Sequence, residues 1–458
     1  MHATHRVLAV LVSLTLAAGC KDLNVPDLNN GDLNDLQLNP TAGAVNTLAH
    51  GLLYGTRQGI AAPNGYVSLL GILGRESYNF DAADPRFVTE MLIGPLDGGS
   101  PAFGGNLWAA PYANIRSANI LLNALDQVVG LSDEELAGLR GFAQTIQALD
   151  YLNVISTRDD LGAPIDVDRD AVGDPAPIAT KAEVFTYIVT LLDDADTELG
   201  NAGSGFSFSL TTGFAGFDTP ATFRQFNRAL RARVAAYLAD WNGVLTALGG
   251  SFVSTTASLD LGVYHVFSTG SGDVTNGLYD PSAADLLGHP SLTTDAQQQA
   301  GGAPDARYTS KTFVLGASKT VQGITTDLGF QMYGSPAASV PIIRNEELIL
   351  LRAEANLGLN QDATALTDIN EIRTTSGGLT AIVPGTWIAL SDTEQLDELL
   401  YNRRYSLLFE GGHRWIDMRR YGRLAQLPLA LASHNLFTSF PFPIGECLAR
   451  SPEPAAGC

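Results

Sequence analysis

The chain has 458 residues, 45% of them hydrophobic and only 16% charged, so it can bury a sizeable core under a surface of mostly uncharged polar residues. Its formal net charge is −21, from 27 Lys and Arg against 48 Asp and Glu. That balance excludes a nucleic-acid partner, because phosphate neutralisation needs clustered cations that are missing here.

The first twenty residues read as a processing signal. His2, His5 and Arg6 give a weakly basic start, Val7 to Leu16 is apolar, and Ala17-Ala18-Gly19-Cys20 follows. The apolar run is too short to span a bilayer. Small residues ahead of a cysteine predict a lipoprotein signal peptide over 1–19, cut before Cys20, with the Cys20 thiol as lipid acceptor. An ordinary secretory cut near Gly19 is the alternative. No later segment reads as a membrane span, so lipid would be the only anchor. Residues 20–38 are rich in Asn and Asp without periodicity and read as a flexible tether, able to reach roughly 60 Å at 3.3–3.6 Å per residue. Their Asp/Asn spacing lacks the twelve-residue pattern of a calcium loop.

The body, 39–458, reads as a single unit in three stretches, 39–250, 251–340 and 341–458. Asn39-Pro40 places a cap ahead of a proline and predicts the first helix. Ser132-Asp-Glu-Glu135, Thr180-Lys-Ala-Glu183 and Ser391-Asp-Thr-Glu394 are capping boxes, in which cap and third residue satisfy each other's backbone donors. Val184, Ile188, Leu191, Leu192, Ala195 and Leu199 form one apolar stripe; Phe223, Phe226, Leu230, Val234, Tyr237 and Trp241 form another. Further helices are predicted near 108–127, 134–157, 344–358, 362–375 and 394–410. They come in pairs, 108–127 with 134–157 and 344–358 with 362–375. Each pair must bury its stripes against neighbours, which predicts a mainly α, tetratricopeptide-like superhelix of helical pairs with long loop-rich inserts.

The inserts are 60–106, about 200–219 and 250–340, rich in Gly, Ser, Thr, Asn and Pro yet dense in aromatics, unlike disordered segments. Ordered loops on a rigid scaffold are where binding sites tend to be built. Arg75, Tyr78, Phe80, Phe103, Tyr279 and Tyr308 are therefore the expected ligand-binding residues, with aromatic faces and hydrogen bonds doing the recognition. Cys447 and Cys458, both near the end of the chain, are candidates for a disulfide in an oxidising compartment, two free thiols being the alternative.

Catalytic motifs are absent from the sequence: it has no Gly-x-Ser-x-Gly, no phosphate loop and no dinucleotide turn. The seven histidines form no His-x-x-x-His pair, so neither a metal site nor a cofactor is expected. Glu76 with Asp81, or Asp159 with Asp160, could serve as a glycosidase acid and base. Among 48 acidic residues such proximities arise by chance.

The last third carries a more specific pattern. Arg344-Asn-Glu-Glu-Leu-Ile-Leu-Leu-Arg-Ala-Glu-Ala355, then Ile369-Asn-Glu-Ile-Arg373, then Asn402-Arg-Arg-Tyr-Ser-Leu-Leu-Phe-Glu-Gly-Gly-His-Arg-Trp-Ile-Asp-Met-Arg-Arg-Tyr-Gly422 resemble motifs of the SusD/RagB family in the family's order. The last resembles "ERRxELxFEGxRxxDLRRxG", with Asn402 and Ser406 in place of the usual Glu. Phe442-Pro-Ile-Gly-Glu446 is similar to the family's "PIPxxE" ending, and Trp108-Ala-Ala-Pro-Tyr-Ala-Asn-Ile-Arg-Ser-Ala-Asn119 to "WxxxYxxIxxAN". Leu161-Gly-Ala-Pro-Ile165 is similar to "YGxVPL", with Leu161 replacing the aromatic.

From the residues alone, Arg403, Arg404, Arg414, Arg419 and Arg420 beside Glu410 and Asp417 predict an ion-pair lock between helices, with His413 as a structural hydrogen-bonder. Trp108, Tyr112 and Ile115 share a helical face and are expected in the core. The resemblance implies a cell-surface, outer-membrane lipoprotein that binds a glycan or oligopeptide. It further implies a partner, a SusC/RagA-type TonB-dependent receptor, and no catalysis. A scaffold for envelope assembly and a glycan-cleaving enzyme are the competing readings.

Overall fold

The computed structural model describes residues 39–99, 103, 107–169, 173–451 and 457–458. The predicted signal peptide, Cys20 and the tether lie outside the described residues. Counting helices of six residues or more and strands of three or more, the order begins with α1 (Ala42–Gly55), α2 (Tyr66–Leu73), β1 (Ser77–Asn79), α3 (Ala109–Ala124), α4 (Asp133–Arg158), α5 (Lys181–Asn201), α6 (Pro220–Tyr237) and α7 (Trp241–Gly249). There follow β2 (Gly262–His265), β3 (Leu286–Gly288), α8 (Ala306–Lys311), β4 (Thr312–Val321), β5 (Ile324–Phe330) and β6 (Val340–Arg344). The last elements are α9 (Asn345–Gly358), α10 (Asp362–Thr375), α11 (Asp392–Ser406), α12 (His413–Arg420) and α13 (Ile444–Ala449).

Local chemistry sets most helix starts. The capping boxes at Ser132, Thr180 and Ser391 close on both sides, and a fourth forms between Thr219 and Thr222 with Pro220 at the first helical position. The first helix begins later than Asn39-Pro40 suggests, because the Thr41 hydroxyl accepts from the Ala44 amide and becomes the cap. The apolar stripe through Tyr237 and Trp241 is broken as well. Ala239 sits at φ 54°, α6 ends at Tyr237, and Trp241 opens α7 behind the Asp240 cap.

The helices pack in sequence, α1 on α3, α3 on α4, α4 on α5, α5 on α6 and α6 on α7, and then α7 on α9 and α9 on α10 and α11. This is the expected superhelix of helical pairs. One core runs through it, from Val45 and Leu52 through Phe142, Ile146, Ile188 and Phe226 to Leu348 and Leu351. The α4–α5 approach depends on Gly141, where a Cβ would lie 2.6 Å from Leu199 Cγ and 2.9 Å from the Ala195 carbonyl oxygen. Among the described residues no helix is long and apolar enough to cross a membrane.

A second core fills the layer built from the inserts. It joins α2 (Val67, Leu69, Leu70) to Tyr78, Phe80, Phe87, Leu287, Leu328, Phe409 and Trp415. Its backbone is an antiparallel sheet in the order β1-β3-β5-β4, with Tyr78 opposite Leu287 and Leu287 opposite Gly329. The β4–β5 hairpin turns at Gln322-Gly323, both at positive φ, as a tight two-residue hairpin turn requires. Separately, β2 pairs with β6 and ties residues 262–265 to the start of α9. The inserts thus fold as a sheet-reinforced layer on the helical stack, which their Gly- and Ser-rich composition does not announce.

Candidate functional site

The expected ligand-binding residues lie mostly inside this second core. Arg75, at φ 56°, follows α2 and is 1% exposed. Its guanidinium donates to the carbonyls of Ile72 at 2.9 Å, Asn435 at 2.6 Å and Pro428 at 3.3 Å, so it fastens the 421–440 loop to α2. Burial pulls its pKa down to about 10. Tyr78 and Phe80 stack with ring centroids 5.5 Å apart, and Tyr78 also lies 5.0 Å from His289. Phe103 packs edge-on against Phe87 and under Arg86, and the Tyr308 hydroxyl meets Thr293 Oγ1 at 2.8 Å.

All five are buried, and only Tyr279 is partly exposed. The exposed aromatic face anticipated at these positions is therefore corrected. Arg75, Tyr78, Phe80, Phe103 and Tyr308 have no surface to offer a ligand and instead make the insert layer rigid. The physical reason is that insert segments lacking a helical stripe can bury apolar area only on one another.

The arginine-rich segment is an ion-pair lock of wider reach than its own sequence. Arg403 donates to Asp417 at 2.7 Å, and Arg420 reaches Asp417 at 2.9 Å and also Glu354 on α9. Arg404 pairs with Asp295 at 2.7 Å, whereas Arg419 pairs with Asp159 at 3.4 Å and donates to the Ser156 carbonyl at 2.7 Å. Glu410 is held by Arg344 at 2.9 Å and Lys311 at 2.8 Å, rather than by its sequence neighbours. Arg414 instead lies near the buried Glu76, whose pKa burial pushes up to about 7. His413 is buried, and desolvation lowers it to about 4, so it is neutral at physiological pH.

Neither glycosidase-like pair has an open site. Glu76 is buried within the second core, and Asp159 is occupied by Lys181 at 2.6 Å. Among the described residues no group of three or more His, Cys, Asp or Glu is placed to hold a metal.

One open feature among the described residues that combines aromatic rings with hydrogen-bonding groups is a recess of about 390 Å³ at the start of α3. Trp108 and Tyr112 form its aromatic side, and Arg116, one turn further along α3, stands at its edge. The lining also includes Arg169 and Asp174, together with Glu446 of α13 and Arg450 just after that helix. Trp108 is 7% exposed, lodged 4.7 Å from Tyr112, 5.2 Å from Phe442 and 5.1 Å from the Arg158 guanidinium. Tyr112 keeps partial exposure and donates its hydroxyl to the Pro164 carbonyl at 2.8 Å. Trp108 is core, as expected, while Tyr112 is core on one side and recess wall on the other.

The Cys447–Cys458 disulfide holds α13, and with it the wall formed by Glu446 and Arg450. The helical face of Trp108 and Tyr112 was visible in the sequence. Its convergence with Arg169, with 173–176 and with 446–450 was not, because no local signal links segments that far apart.

The superhelix of helical pairs is shared with solved SusD-like structures. Residues 289–440 match the family model described as SusD family. The fold is shared with a SusD superfamily protein from Bacteroides vulgatus at TM-score 0.69 and 13% identity, covering 91% of this chain and 99% of that one. It is also shared with a SusD-like carbohydrate binding protein from Bacteroides fragilis at TM-score 0.66 and 16% identity, covering 84% and 87% of the two chains. A putative sugar binding protein from Bacteroides vulgatus aligns at TM-score 0.60 and 19% identity, covering 83% and 87%. No curated sequence matches the chain. The family match is confined to residues 289–440, and the likeness to the solved SusD-like structures is one of fold.

Proposed function

We propose that this protein is a lipid-anchored, cell-surface component of an outer-membrane uptake system. It binds a glycan and passes it, uncleaved, to a TonB-dependent barrel of the SusC/RagA type. The observation that carries the reading is the SusD family match over 289–440 on a chain with the SusD-like fold nearly end to end. Three of the similar structures are described as carbohydrate or sugar binding proteins, which favours a glycan over an oligopeptide as cargo. The recess beside Trp108 and Tyr112 is the candidate ligand site, since sugars bind through aromatic surfaces and a few placed polar groups.

The lipid is assigned to Cys20 and the membrane attachment to the 20–38 tether. Mass spectrometry of the mature N-terminus tests this directly: a diacyl- or triacyl-cysteine at position 20 is expected, and an unmodified end at another residue overturns it. The capture role is tested by glycan binding in solution with analysis of the recovered sugar. Saturable binding with the sugar intact is expected, and shortened products would favour an enzyme.

A further inference from the structure

We propose that the recess at the start of α3 binds the carboxylate of an acidic saccharide, with Arg116 as the anion's partner. This rests on the capture reading above and adds the chemical class of the ligand.

The argument begins with which cations around the recess are already occupied. Arg169 donates to Asp166 at 3.0 Å. Arg450 donates to Glu446 at 2.9 Å and to the Ala176 carbonyl at 2.7 Å. Arg116 is exposed on α3 and, among the described residues, makes no ion pair and no hydrogen bond. Every described lysine and every other exposed or half-exposed arginine, Arg414 excepted, has an acidic or carbonyl acceptor, so the free charge sits where the aromatic rings are. Arg414 lies within the protein beside Glu76, away from this recess.

The ligand class follows from desolvation. A molecule lying against Tyr112 and the rim of Trp108 strips water from Arg116. A neutral sugar leaves that guanidinium only partly compensated, whereas a carboxylate replaces its hydration with two parallel charge-assisted hydrogen bonds. The Tyr112 hydroxyl is already committed to Pro164, so the ring is fixed and presents its face and edge rather than a free donor. A sugar ring against this aromatic surface with its carboxylate on Arg116 uses both features at once, which favours a uronic acid over a peptide C-terminus. The overall charge of −21 does not oppose this, because at physiological salt repulsion from charges more than about 8 Å away is largely screened, and of the two carboxylates lining the recess Glu446 is paired with Arg450 while Asp174 lies within electrostatic reach of Arg169.

The test is calorimetric titration of the full mature chain with trigalacturonate, with the matching neutral trisaccharide, and with a tripeptide bearing a free C-terminal carboxylate. A charge-assisted contact of this kind corresponds to a preference of about ten-fold or more for the uronate over the neutral sugar. Arg116→Ala is expected to erase that preference, Arg116→Lys to keep part of it, and Arg140→Ala, on a paired surface arginine, to leave it unchanged. Equal affinity of the native protein for charged and neutral trisaccharides overturns the proposal. So does an Arg116→Ala variant of native melting temperature that keeps the preference, or tighter binding of the tripeptide than of the uronate. Binding of the neutral sugar alone removes the acidic-ligand inference but leaves glycan capture standing. Absence of binding to all three probes removes the inference, and the capture reading falls with it only if no TonB-dependent barrel accompanies the protein on purification.

Discussion

Replacing Arg233 tests how the helical stack is joined to the C-terminal helices. Arg233 on α6 grips Glu347 on α9 with Nε to Oε1 at 2.7 Å and Nη2 to Oε2 at 2.6 Å, and also donates to the Ile342 carbonyl at 2.6 Å. The two side chains are 8% and 2% exposed. Burial pushes the Glu347 carboxyl up, but the guanidinium of Arg233 outweighs it and holds the pKa below its usual value. Arg233→Met removes both donors to Glu347 and leaves a buried carboxylate without a hydrogen-bonded partner, which costs about 3–5 kcal/mol. The pair itself offers far less net stability, because desolving two charges offsets most of their attraction. The double variant Arg233→Met with Glu347→Leu should therefore recover to within about 1–2 kcal/mol of native. Urea denaturation followed by far-ultraviolet circular dichroism at pH 7 measures all three proteins. Repeating it at pH 5 should shrink the single variant's deficit, since Glu347 can then protonate at lower cost. A single variant within 1 kcal/mol of native, or a double variant as unstable as the single, would refute the reasoning.

Three further outcomes are expected. Asp150 and Glu76 should each contribute stability that is lost as pH rises from about 4 to 7, because burial raises their folded-state pKa to about 7 while both ionise near 4 when unfolded. The contribution of these groups is complete below the unfolded pKa and gone above the folded one; Asp150→Asn should flatten the slope of the urea midpoint against pH, and an unchanged slope contradicts the assignment. Gly141→Ala should destabilise by about 1–3 kcal/mol despite the better helix propensity of alanine, since its Cβ would press on the α5 backbone, and a raised melting temperature would contradict that packing. Replacing Cys447 and Cys458 with serine opens a loop of 11 residues in sequence separation, worth about 3 kcal/mol. Amide exchange across Ile444–Ala449 should then accelerate by about a hundred-fold; protection equal to native would show that packing alone holds α13.

What could be read from the sequence was whatever has a local cause. Capping boxes at Ser132, Thr180 and Ser391 fix helix starts through residues three apart, and the structure places those starts where the boxes do. The stripe ending at Trp241 misled because Tyr237 and Trp241 keep helical spacing across the break at Ala239, and a single left-handed residue leaves no periodic trace. The insert sheet was invisible because β1 and β3 are three-residue strands that pair across some two hundred residues, Ser77 with Gly288. Aromatic density in the inserts correctly indicated order. It could not indicate which way the rings face, and Tyr78, Phe80, Phe103 and Tyr308 face inward. The arginine cluster was legible as a lock, but Glu354, Arg344 and Lys311 joined it from elements that only the fold brings near.

The central claim is that this body is the ligand-capturing half of an uptake pair. Mild-detergent extraction of the outer membrane, affinity capture of the tagged protein, and identification of what is retained in stable proportion test it most directly. A TonB-dependent barrel in roughly equal amount, lost on competition with untagged protein, is the predicted result. Retention of outer-membrane assembly components with no such barrel would contradict the account and favour a scaffold.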